Sequence, residues 1–459
     1  MSNHSSKPLP ASWVIAQIAD VASVNPKIDR SLFDDGLEVQ FVPMTAIGAG
    51  TGKVALNEVR PFSDVQKGFT PFLEGDVLFA KITPCMENGK MAIVPKLRND
   101  IGFGSTEFHV LRPYDGISAL YLYYYVSSER FRRDAEHNMT GAVGQRRVPT
   151  TYLSQHLLPL PPTNEQHRIA AKIEALFSEV DKGVESLTTA REQLRTYRQA
   201  FLKRAFEGRM TATWRKDRPR HEWTSISIGD AAKHIVDCLH STPTFAASGK
   251  YCIDSTWIED NKVMFEQARF VDEVTYQDRI KRMKPKRGDV LLVREGSKKI
   301  GTALVVNFDD ECCLGQRMMM LRLGERILPK YFVYYIQSDN FKKQYKPLIG
   351  GSASPHLNIS DIRRMTVPLC SLEEQRELIR IIESQFSVLD AIDSAIEAEV
   401  QKSQVLRDAV LKRAFSGQLV VQDPNEESAS VLLQRMRAEK EDSGSDRKKN
   451  NKNSKKEAA

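Results

Sequence analysis

The 459-residue sequence lacks any run of about 18 or more apolar residues, so it predicts no membrane-spanning helix. Its first ten residues are mostly polar and contain no apolar segment of the kind found in secretory signals. These two absences together predict a cytoplasmic protein with no membrane partner.

Cysteine is also scarce. The six cysteines show no Cys-x-x-Cys spacing and no clustering with histidines. Structural zinc sites and disulfide frameworks both need such patterns, so we expect reduced thiols and no metal site.

The motifs of nucleotide-dependent and DNA-modifying enzymes are missing as well. The segment from Gly48 to Lys53 superficially resembles a phosphate-binding loop, but Ile47 and Val54 stand where that motif needs Gly and Ser or Thr. A turn is the better interpretation. The sequence contains no Asn-Pro-Pro-Phe or Asp-Pro-Pro-Tyr motif, and Glu295 and Lys298 are too far apart for a Glu-x-Lys nuclease site. We therefore expect no catalytic residues and no cofactor in this chain.

What the chain does contain is typical of a globular protein, with 41% hydrophobic and 27% charged residues. Its length exceeds that of one hydrophobic core, so two or more domains are expected. The net charge of +7 permits a nucleic-acid partner but does not by itself indicate one.

The most informative feature is an internal repeat with a shift of about 210 residues. Matching segments occur in the same order in both halves of the chain. They are Trp13 with Ile18-Ala19-Asp20 and Trp223 with Ile228-Gly229-Asp230; Gly75-Asp76-Val77-Leu78 and Gly288-Asp289-Val290-Leu291; Tyr121, Tyr124, Tyr125 and Tyr331, Tyr334, Tyr335; and Leu202-Lys203-Arg204-Ala205-Phe206 before Gly208 and Leu411-Lys412-Arg413-Ala414-Phe415 before Gly417.

Each repeat has an α+β part followed by a long helix. Prolines followed by a capping box predict where each helix begins. The capping box is Thr163 with Gln166 in the first copy and Ser371 with Glu374 in the second. At 1.5 Å per residue each rod is about 65 Å long. Apolar residues recur along both rods at intervals of mostly three and four, at Ile169, Ile173, Leu176, Val180, Val184, Leu187, Leu194, Tyr197 and Phe201, and at Leu378, Ile382, Phe386, Leu389, Ile396, Leu406 and Val410.

An amphipathic rod cannot bury its own stripe, so we expect the two rods to pair as an antiparallel coiled coil with a quasi-two-fold repeat. In that arrangement Trp13 lies near Gly417. The predicted divisions are a first α+β domain (1–162), a first long helix (163–209), a linker and second α+β domain (210–370), a second long helix (371–417), and a basic, partly disordered tail (418–459). A short helical pattern over 429–440 interrupts this tail.

The sequence resembles the specificity subunits of type I restriction-modification enzymes, because the same segments occur in the same order and are duplicated. The segments that carry the resemblance are the early Trp with Ile-x-Asp, Gly75-Asp76-Val77-Leu78-Phe79-Ala80-Lys81, Pro159-Leu160-Pro161-Pro162 leading to Glu165-Gln166, Pro368-Leu369 leading to Glu374-Gln375, and the closing Lys-Arg-Ala-Phe-x-Gly. The second copy departs slightly, with Cys370-Ser371-Leu372 in place of Pro161-Pro162-Thr163.

This resemblance implies a non-catalytic subunit in which two target-recognition domains of mixed α/β structure each read half of an interrupted target in double-stranded DNA. It also implies two methyltransferase subunits and two ATP-driven restriction subunits as partners. S-adenosylmethionine, ATP and magnesium are then expected in the partner subunits.

Donor-rich loops after the repeated strands are the candidate DNA contacts, because groove reading and phosphate binding use such side chains. Each residue alone is as often a solvated or fold-supporting side chain as a DNA contact. The dense positive stretch from Arg279 to Arg287 favours phosphate contact, whereas the repeated tyrosines favour core packing. The candidates are Lys81, Thr83, Asn88, Lys90, Thr106, Gln145, Arg146, Arg147, Lys281, Arg282, Lys284, Arg294, Ser297, Lys298, Lys299, Gln316, Arg317, Ser352, Ser354 and His356.

Two other classes of function compete with this interpretation. A coiled-coil adaptor that bridges proteins without reading DNA would have the same rods but no salt-sensitive DNA binding. A fused restriction and methylation enzyme would need the motifs that are absent.

Overall fold

The computed structural model describes residues 8–142, 144–216, 218, 222–259, 261–296, 299–350 and 355–440. The chain divides into two compact units, unit 1 (Met1–Glu185 with Glu399–Ala459) and unit 2 (Ser186–Ala398). None of the helices in the described part of the chain combines the length and apolar character needed to cross a bilayer.

Unit 1 contains an α+β domain and parts of both long helices. Its strands are β1 (Val14–Gln17), β2 (Ala22–Val24), β3 (Glu38–Val42), β4 (Glu58–Pro61), β5 (Thr70–Leu73), β6 (Val77–Ala80), β7 (Met91–Ile93), β8 (Ile101–Gly104), β9 (Phe108–Pro113) and β10 (Leu157–Leu160). Its domain helices are α1 (Ile18–Val21), α2 (Phe62–Val65), α3 (Ala119–Ser127), α4 (Glu129–His137) and α5 (Thr150–Gln155), with 3₁₀ turns at Arg30–Leu32, Met44–Ala46 and Arg98–Asp100. The first long helix, α6 (Thr163–Phe206), begins here and continues into unit 2.

Unit 2 repeats this organisation. Its helices are α7 (Ala212–Lys216), α8 (Ile228–Ala231), α9 (Glu273–Ile280), α10 (Pro329–Gln337), α11 (Asp339–Tyr345), α12 (Ile359–Arg364) and the start of the second long helix, α13 (Leu372–Ala414), with 3₁₀ turns at Ser255–Trp257 and Lys346–Leu348. Its strands are β11 (Thr224–Ser227), β12 (Ala232–Asp237), β13 (Phe245–Ala246), β14 (Lys250–Ile253), β15 (Ile258–Glu259), β16 (Lys262–Val263), β17 (Arg269–Val271), β18 (Val290–Val293), β19 (Ala303–Val305), β20 (Cys312–Leu314), β21 (Met318–Leu323) and β22 (Thr366–Leu369).

The sheets confirm the predicted repeat. An antiparallel sheet has the order β2-β9-β6-β7 in unit 1 and β12-β21-β18-β19 in unit 2. A mixed sheet has the order β4-β3-β8-β5 in unit 1 and β13-β17-β14-β20 in unit 2, and each contains one parallel pair, β3 with β8 and β14 with β20. The two-stranded sheets β1-β10 and β11-β22 connect each domain's start to the strand before a long helix.

Residues shared by both copies support the fold. The buried carboxylate of Asp76 accepts two hydrogen bonds from Arg112 (2.8 and 2.7 Å), and Asp289 accepts two from Arg322 (2.8 Å each). The buried Tyr121 donates its hydroxyl proton to the carbonyl of Pro159 (2.6 Å), and Tyr331 likewise donates to that of Pro368 (2.9 Å). The predicted core role of these tyrosines is therefore confirmed.

In each unit the two long helices run antiparallel, as predicted. In unit 2, Arg191 pairs with Asp393 (2.8 Å), and Arg198, further along α6, pairs with the earlier Asp390. In unit 1, Asp181 pairs with Arg407, and Ile169 and Ile173 share one core with Val410, Leu411 and Ala414.

Two positions of the predicted apolar stripe were wrong. Tyr197 is 49% exposed and Leu406 is 52% exposed, although both continue the spacing. In unit 1 the guanidinium of Arg407, which follows Leu406, lies 4.7 Å from the ring of Phe177, so an arginine stem covers part of the helix contact.

The capping boxes predicted at the rod starts form only in part. Ser371 Oγ accepts a hydrogen bond from the backbone of Glu374 (3.2 Å), but Thr163 Oγ1 donates to the carbonyl of Gly116 (2.9 Å). Gln166 is fully buried, accepts from the backbone N–H of Ser118 (2.9 Å) and donates to Pro161 (3.0 Å), so it joins the domain to the rod.

The segment after α13 returns to unit 1. Residues 429–440 form a helix, α14, whose Ala429, Leu432, Leu433 and Met436 lie in the core of unit 1. The backbone N–H of Ala429 donates to the carbonyl of Ser12 (3.0 Å). We therefore count 429–440 with unit 1 and not with a basic tail, in which the sequence pattern had placed this segment. Residues 441–459, the last part of that tail, lie outside the described residues.

Two smaller predictions are confirmed by local geometry. The segment from Gly48 to Lys53 is a turn, closed by a hydrogen bond from Gly48 N to Lys53 O (3.1 Å) and by a bridge between Ile47 and Val54. A Cβ on Gly417 would lie 3.6 Å from the ring of Trp13, so the start of the first domain and the end of α13 are neighbours in unit 1.

Candidate nucleic-acid interface

In unit 1 the three predicted groups of DNA contacts converge beyond the end of β6. Lys81 donates its backbone N–H to Glu107 (2.9 Å) and accepts one from Val148 (2.8 Å), while Thr83 donates to the carbonyl of Arg146 (3.0 Å). We call residues 81–90, 105–107 and 144–148 loop cluster 1.

Ion pairs orient the arginines of loop cluster 1. The guanidinium of Arg147 binds both carboxylate oxygens of Glu107, with Nη2 to Oε1 at 2.7 Å and Nε to Oε2 at 2.9 Å. These hydrogen bonds hold the pKa of Glu107 below its ordinary value. Arg146 is held more loosely, 3.6 Å from Glu87 and 3.7 Å from Glu136. Arg147 is therefore fixed, whereas Arg146 has room to move.

The remaining candidates of unit 1 fall into two groups. Asn88, Thr106 and Gln145 are exposed. Lys90 donates to the carbonyl of Met44 (2.9 Å), and Thr83 Oγ1 donates to Glu87 (3.2 Å), so these two side chains also support the loops.

Unit 2 has the same backbone frame. Arg294 donates its N–H to the carbonyl of Arg317 (3.1 Å) and accepts one from Leu357 (2.9 Å), as Lys81 does with Glu107 and Val148 in unit 1. We call residues 294–296, 315–317 and 355–357 loop cluster 2. Four further candidates, Ser297, Lys298, Ser352 and Ser354, lie outside the described residues.

Two of the predicted cations in unit 2 bind the domain itself. Arg294 is 6% exposed, lies 3.3 Å from Asp237 and donates to the carbonyl of Leu357 (3.0 Å). The ammonium of Lys299 donates to the carbonyls of Ser255 (3.0 Å) and Ile258 (2.9 Å). Their prediction as DNA contacts stays a prediction, and the geometry favours a role in holding the loops.

Gln316, Arg317 and His356 lie at the partly exposed edge of the same frame. Gln316 accepts a hydrogen bond from Thr242 (2.9 Å), and the backbone of His356 pairs with that of Gly350. In the described residues the guanidinium of Arg317 has no hydrogen bond or ion pair.

The dense positive stretch of unit 2 is partly neutralised. Lys281 pairs with Asp278 (2.6 Å) and Lys284 with Glu311 (2.5 Å), whereas Arg282 donates to the carbonyl of Asp237 (3.2 Å). Lys250 and Lys284 together lower the pKa of Glu311 to about 2. Beside this stretch is an open cavity of about 500 Å³, lined by His234, Arg282, Met283, Lys284, Pro285, Lys286 and Arg322. The lining is strongly cationic, which suits a phosphate backbone.

A family model described as the type I restriction modification DNA specificity domain matches this chain twice, over residues 10–187 and 221–402. The chain belongs to this family. The two matches correspond to the two copies of the repeat, and the predicted resemblance is thereby confirmed.

Individual relatives agree with the family match. The chain is 42% identical over 175 residues to the type I restriction enzyme EcoAI specificity subunit of Escherichia coli, covering 38% of this chain and 29% of that subunit. It is 24% identical over 461 residues to the EcoKI specificity subunit of Escherichia coli strain K12, covering 95% and 97%. The chain thus spans less than a third of the EcoAI relative but nearly all of the EcoKI relative.

The fold also matches a solved chain from work on complex assembly and conformational transition of the type I R-M system. The TM-score is 0.71 at 21% identity, covering 90% of this chain and all of that one. At this coverage the likeness extends over both units and shows a shared fold.

In this family member, sequence reasoning missed the carboxylates that organise the frame. Glu107 pairs with Arg147, and Glu136 lies near Arg146, yet the donor pattern of the sequence points to neither carboxylate. The change of sign between Glu107 and its repeat position Arg317 was a signal that could have been read.

The joining role of the buried glutamates at the rod starts was not predicted either. Glu165 accepts hydrogen bonds from Trp13 (2.9 Å) and Gln422 (2.6 Å), and burial raises its pKa. Glu374 accepts from Trp223 (2.9 Å) and Thr211 (2.5 Å). In unit 1, Glu165 at the start of α6 therefore joins Trp13, at the start of the domain, to Gln422, which follows the end of α13. In unit 2, Glu374 at the start of α13 likewise joins Trp223 to Thr211, which follows the end of α6.

Proposed function

We propose that this chain is the DNA-sequence-recognition subunit of a type I restriction-modification complex. It reads a bipartite, interrupted target in double-stranded DNA, one half with each unit. It also holds the subunits that methylate adenine or cleave DNA in an ATP-dependent way.

One observation carries this proposal: two copies of the same backbone frame present different side chains. Lys81, Glu107 and Arg147 in loop cluster 1 correspond by hydrogen bonding to Arg294, Arg317 and His356 in loop cluster 2. An adaptor that never read DNA would have no need to vary these loops while keeping their frame. Two different half-sites require this combination.

Affinity and specificity then arise from different residues. Arg282, Lys284 and the cavity beside them supply phosphate contacts, which neutralise charge without reading sequence. Asn88, Thr106 and Gln145, which are exposed donors of loop cluster 1, supply base contacts.

The chemistry belongs to the partners. We propose two methyltransferase subunits that use S-adenosylmethionine and two restriction subunits that use ATP and magnesium. This chain alone contributes no catalytic group. We therefore expect the purified chain to show no methyltransferase, ATPase or nuclease activity.

A domain exchange tests the proposal. Residues 221–360 are replaced by the equivalent part of a relative, and methylated adenines are mapped in DNA from cells that carry the complete system. We expect one half of the target to change and the other to stay.

The matched control exchanges residues 11–150 and should change the opposite half. A simultaneous change of both half-sites in either exchange would contradict independent reading. A complex without any salt-sensitive DNA binding would instead favour the adaptor.

A further inference from the structure

At one equivalent position the two loop clusters carry side chains of opposite charge. Glu107 and Arg317 each accept, through the backbone carbonyl, the N–H of the residue that follows the central strand (2.9 Å from Lys81 and 3.1 Å from Arg294). Each also directly precedes the next strand of its sheet, β9 or β21. The same backbone position therefore carries a carboxylate in unit 1 and a guanidinium in unit 2.

A second equivalent position, beside the first, also carries a different side chain in each unit. The backbone of Arg147 bridges Ile82 and Thr140, and that of His356 bridges Glu295 and Gly350 in the same pattern. In unit 1 the carboxylate of Glu107 holds Arg147 through two hydrogen bonds (2.7 and 2.9 Å). In unit 2 the guanidinium of Arg317 and the imidazole of His356 stand at these two positions.

The pair in unit 1 is only partly covered. The side chain of Glu107 is 25% exposed and that of Arg147 is 42% exposed. A pair this exposed contributes little to stability, because solvent screens it. Arg147 Nη1 also donates to the carbonyl of Gln145 (3.1 Å). One N–H on each of Nη1 and Nη2 and a second lone pair on each carboxylate oxygen then remain, so the pair can present an acceptor and donors side by side.

We propose that Glu107 and Arg317 occupy a specificity-determining position of the two units, an inference that rests on the proposed function. In unit 1, Glu107 fixes Arg147 and accepts a hydrogen bond from an exocyclic amino group such as N4 of cytosine. In unit 2, Arg317 offers only donors and therefore selects an acceptor edge, O6 and N7 of guanine.

The test uses the complete complex and the map of methylated adenines. We expect Glu107→Gln to lower methylation of the original target about tenfold and to alter or relax one base of the half-site read by unit 1. Arg317→Gln should do the same to the half-site read by unit 2. Neither variant should affect the opposite half-site.

Two further variants separate base reading from support of the fold. Arg147→Lys keeps the charge but loses the paired hydrogen bonds, so it should relax the same base as Glu107→Gln. Glu58→Gln breaks a comparable ion pair on β4, between Glu58 and Arg60 (2.6 Å), outside loop cluster 1. It should leave the target unchanged.

Unchanged target sequences in Glu107→Gln and Arg317→Gln, with a lowered Tm, would overturn the inference in favour of a structural role. So would a change in the wrong half-site. If the wild-type complex itself methylates no interrupted sequence, the proposed function fails as well, which distinguishes that failure from a failure of this position alone.

Discussion

At the scale of single residues, the two units agree in what is buried and differ in what is exposed. Asp76 and Asp289 are both buried and bind an arginine of the neighbouring strand. Glu107 and Arg317, at the partly exposed loop position, have opposite charges. Packing constrains the first kind of position, because an unpaired buried carboxylate costs several kcal/mol. We propose that DNA constrains the second.

Removing a carboxylate beside the cationic cavity should strengthen DNA binding that is independent of sequence. Glu311 binds Lys250 and Lys284, so Glu311→Gln frees two ammonium groups. We expect higher affinity for random duplex DNA and a steeper salt dependence, measured by fluorescence anisotropy.

The control is Glu383→Gln, which removes the same charge from an ion pair with Lys330 (2.6 Å) at the rod. An equal gain in both variants would mean that net charge alone, and not this cavity, sets the affinity.

The Glu107–Arg147 pair should also give a pH-dependent stability. Arg147 holds the pKa of Glu107 below its ordinary value of 4.5. Because the folded pKa is the lower one, the contribution is complete above about pH 4.5 and is lost as the pH falls through the folded pKa. The Tm difference between wild type and Glu107→Gln should therefore shrink on acidification. A difference that grows below pH 4.5 would contradict the sign.

At the scale of elements, helix α14 shows how a short amphipathic segment finds its partner. Its apolar residues at 429, 432, 433 and 436 follow helical spacing and all lie in the core of unit 1. Arg437 pairs with Asp20 (2.8 Å) at its polar side. Most of the stability of such a short helix comes from this packing and not from its intrinsic propensity.

Neighbouring residues of α14 should therefore respond very differently to truncation. Leu432 is 2% exposed and Val431 is 45% exposed. We expect Leu432→Ala to lower the free energy of unfolding by about 2 to 5 kcal/mol, and Val431→Ala to change it by about 0.5 kcal/mol or less. Calorimetry of the full chain measures both. Equal effects would mean that α14 does not pack in solution as described.

At the scale of the whole molecule, the duplicated chain behaves as two similar modules on one polypeptide. In unit 1 the chain near Pro10 and Trp13 meets Gly417, and Ser12 Oγ donates to Gln422 (3.3 Å). In unit 2 the chain near Gly208 meets Trp223 in the same way. The contact of Trp13 with Gly417 in unit 1 and that of Trp223 with Gly208 in unit 2 therefore occupy equivalent places.

A circular permutant should consequently keep its function. Lys440 is joined to Pro8 through a short flexible linker, and the chain is opened after Arg218, so that α14 and α7 both remain. We expect a folded protein that directs methylation to the original target, because surface linkers tolerate such changes.

Opening the chain between Leu291 and Leu292, inside the buried strand β18, should instead abolish folding. If the permutant opened after Arg218 folds but directs methylation to a different target, the equivalence of the two junctions would be wrong.

Much of the fold could be predicted because its signals are local or duplicated. Helical spacing over more than forty residues indicated α6 and α13, and their observed bounds lie within three residues of those expected. The shift of the repeat indicated two α+β domains. The pairing of the rods followed from the need to bury two stripes, and their antiparallel direction followed from the quasi-two-fold order of domain, rod, domain and rod.

The candidate site was predictable only in outline. The sequence placed donor-rich loops after the repeated strands, and the structure brings three of them together in unit 1. It did not distinguish Arg294 and Lys299, which bind their own domain, from Arg317, because all three are cations on loops.

By itself, then, the sequence determined the repeat, the rods and the family, since periodicity and duplicated motifs depend on neighbours along the chain. Only the tertiary structure decided that Glu107 holds Arg147, that Glu165 binds Trp13 and that α14 belongs to unit 1. These contacts join residues from 40 to more than 400 positions apart. The physical reason is that the partner of a buried or paired charge depends on which distant segments pack beside it, which no local pattern specifies.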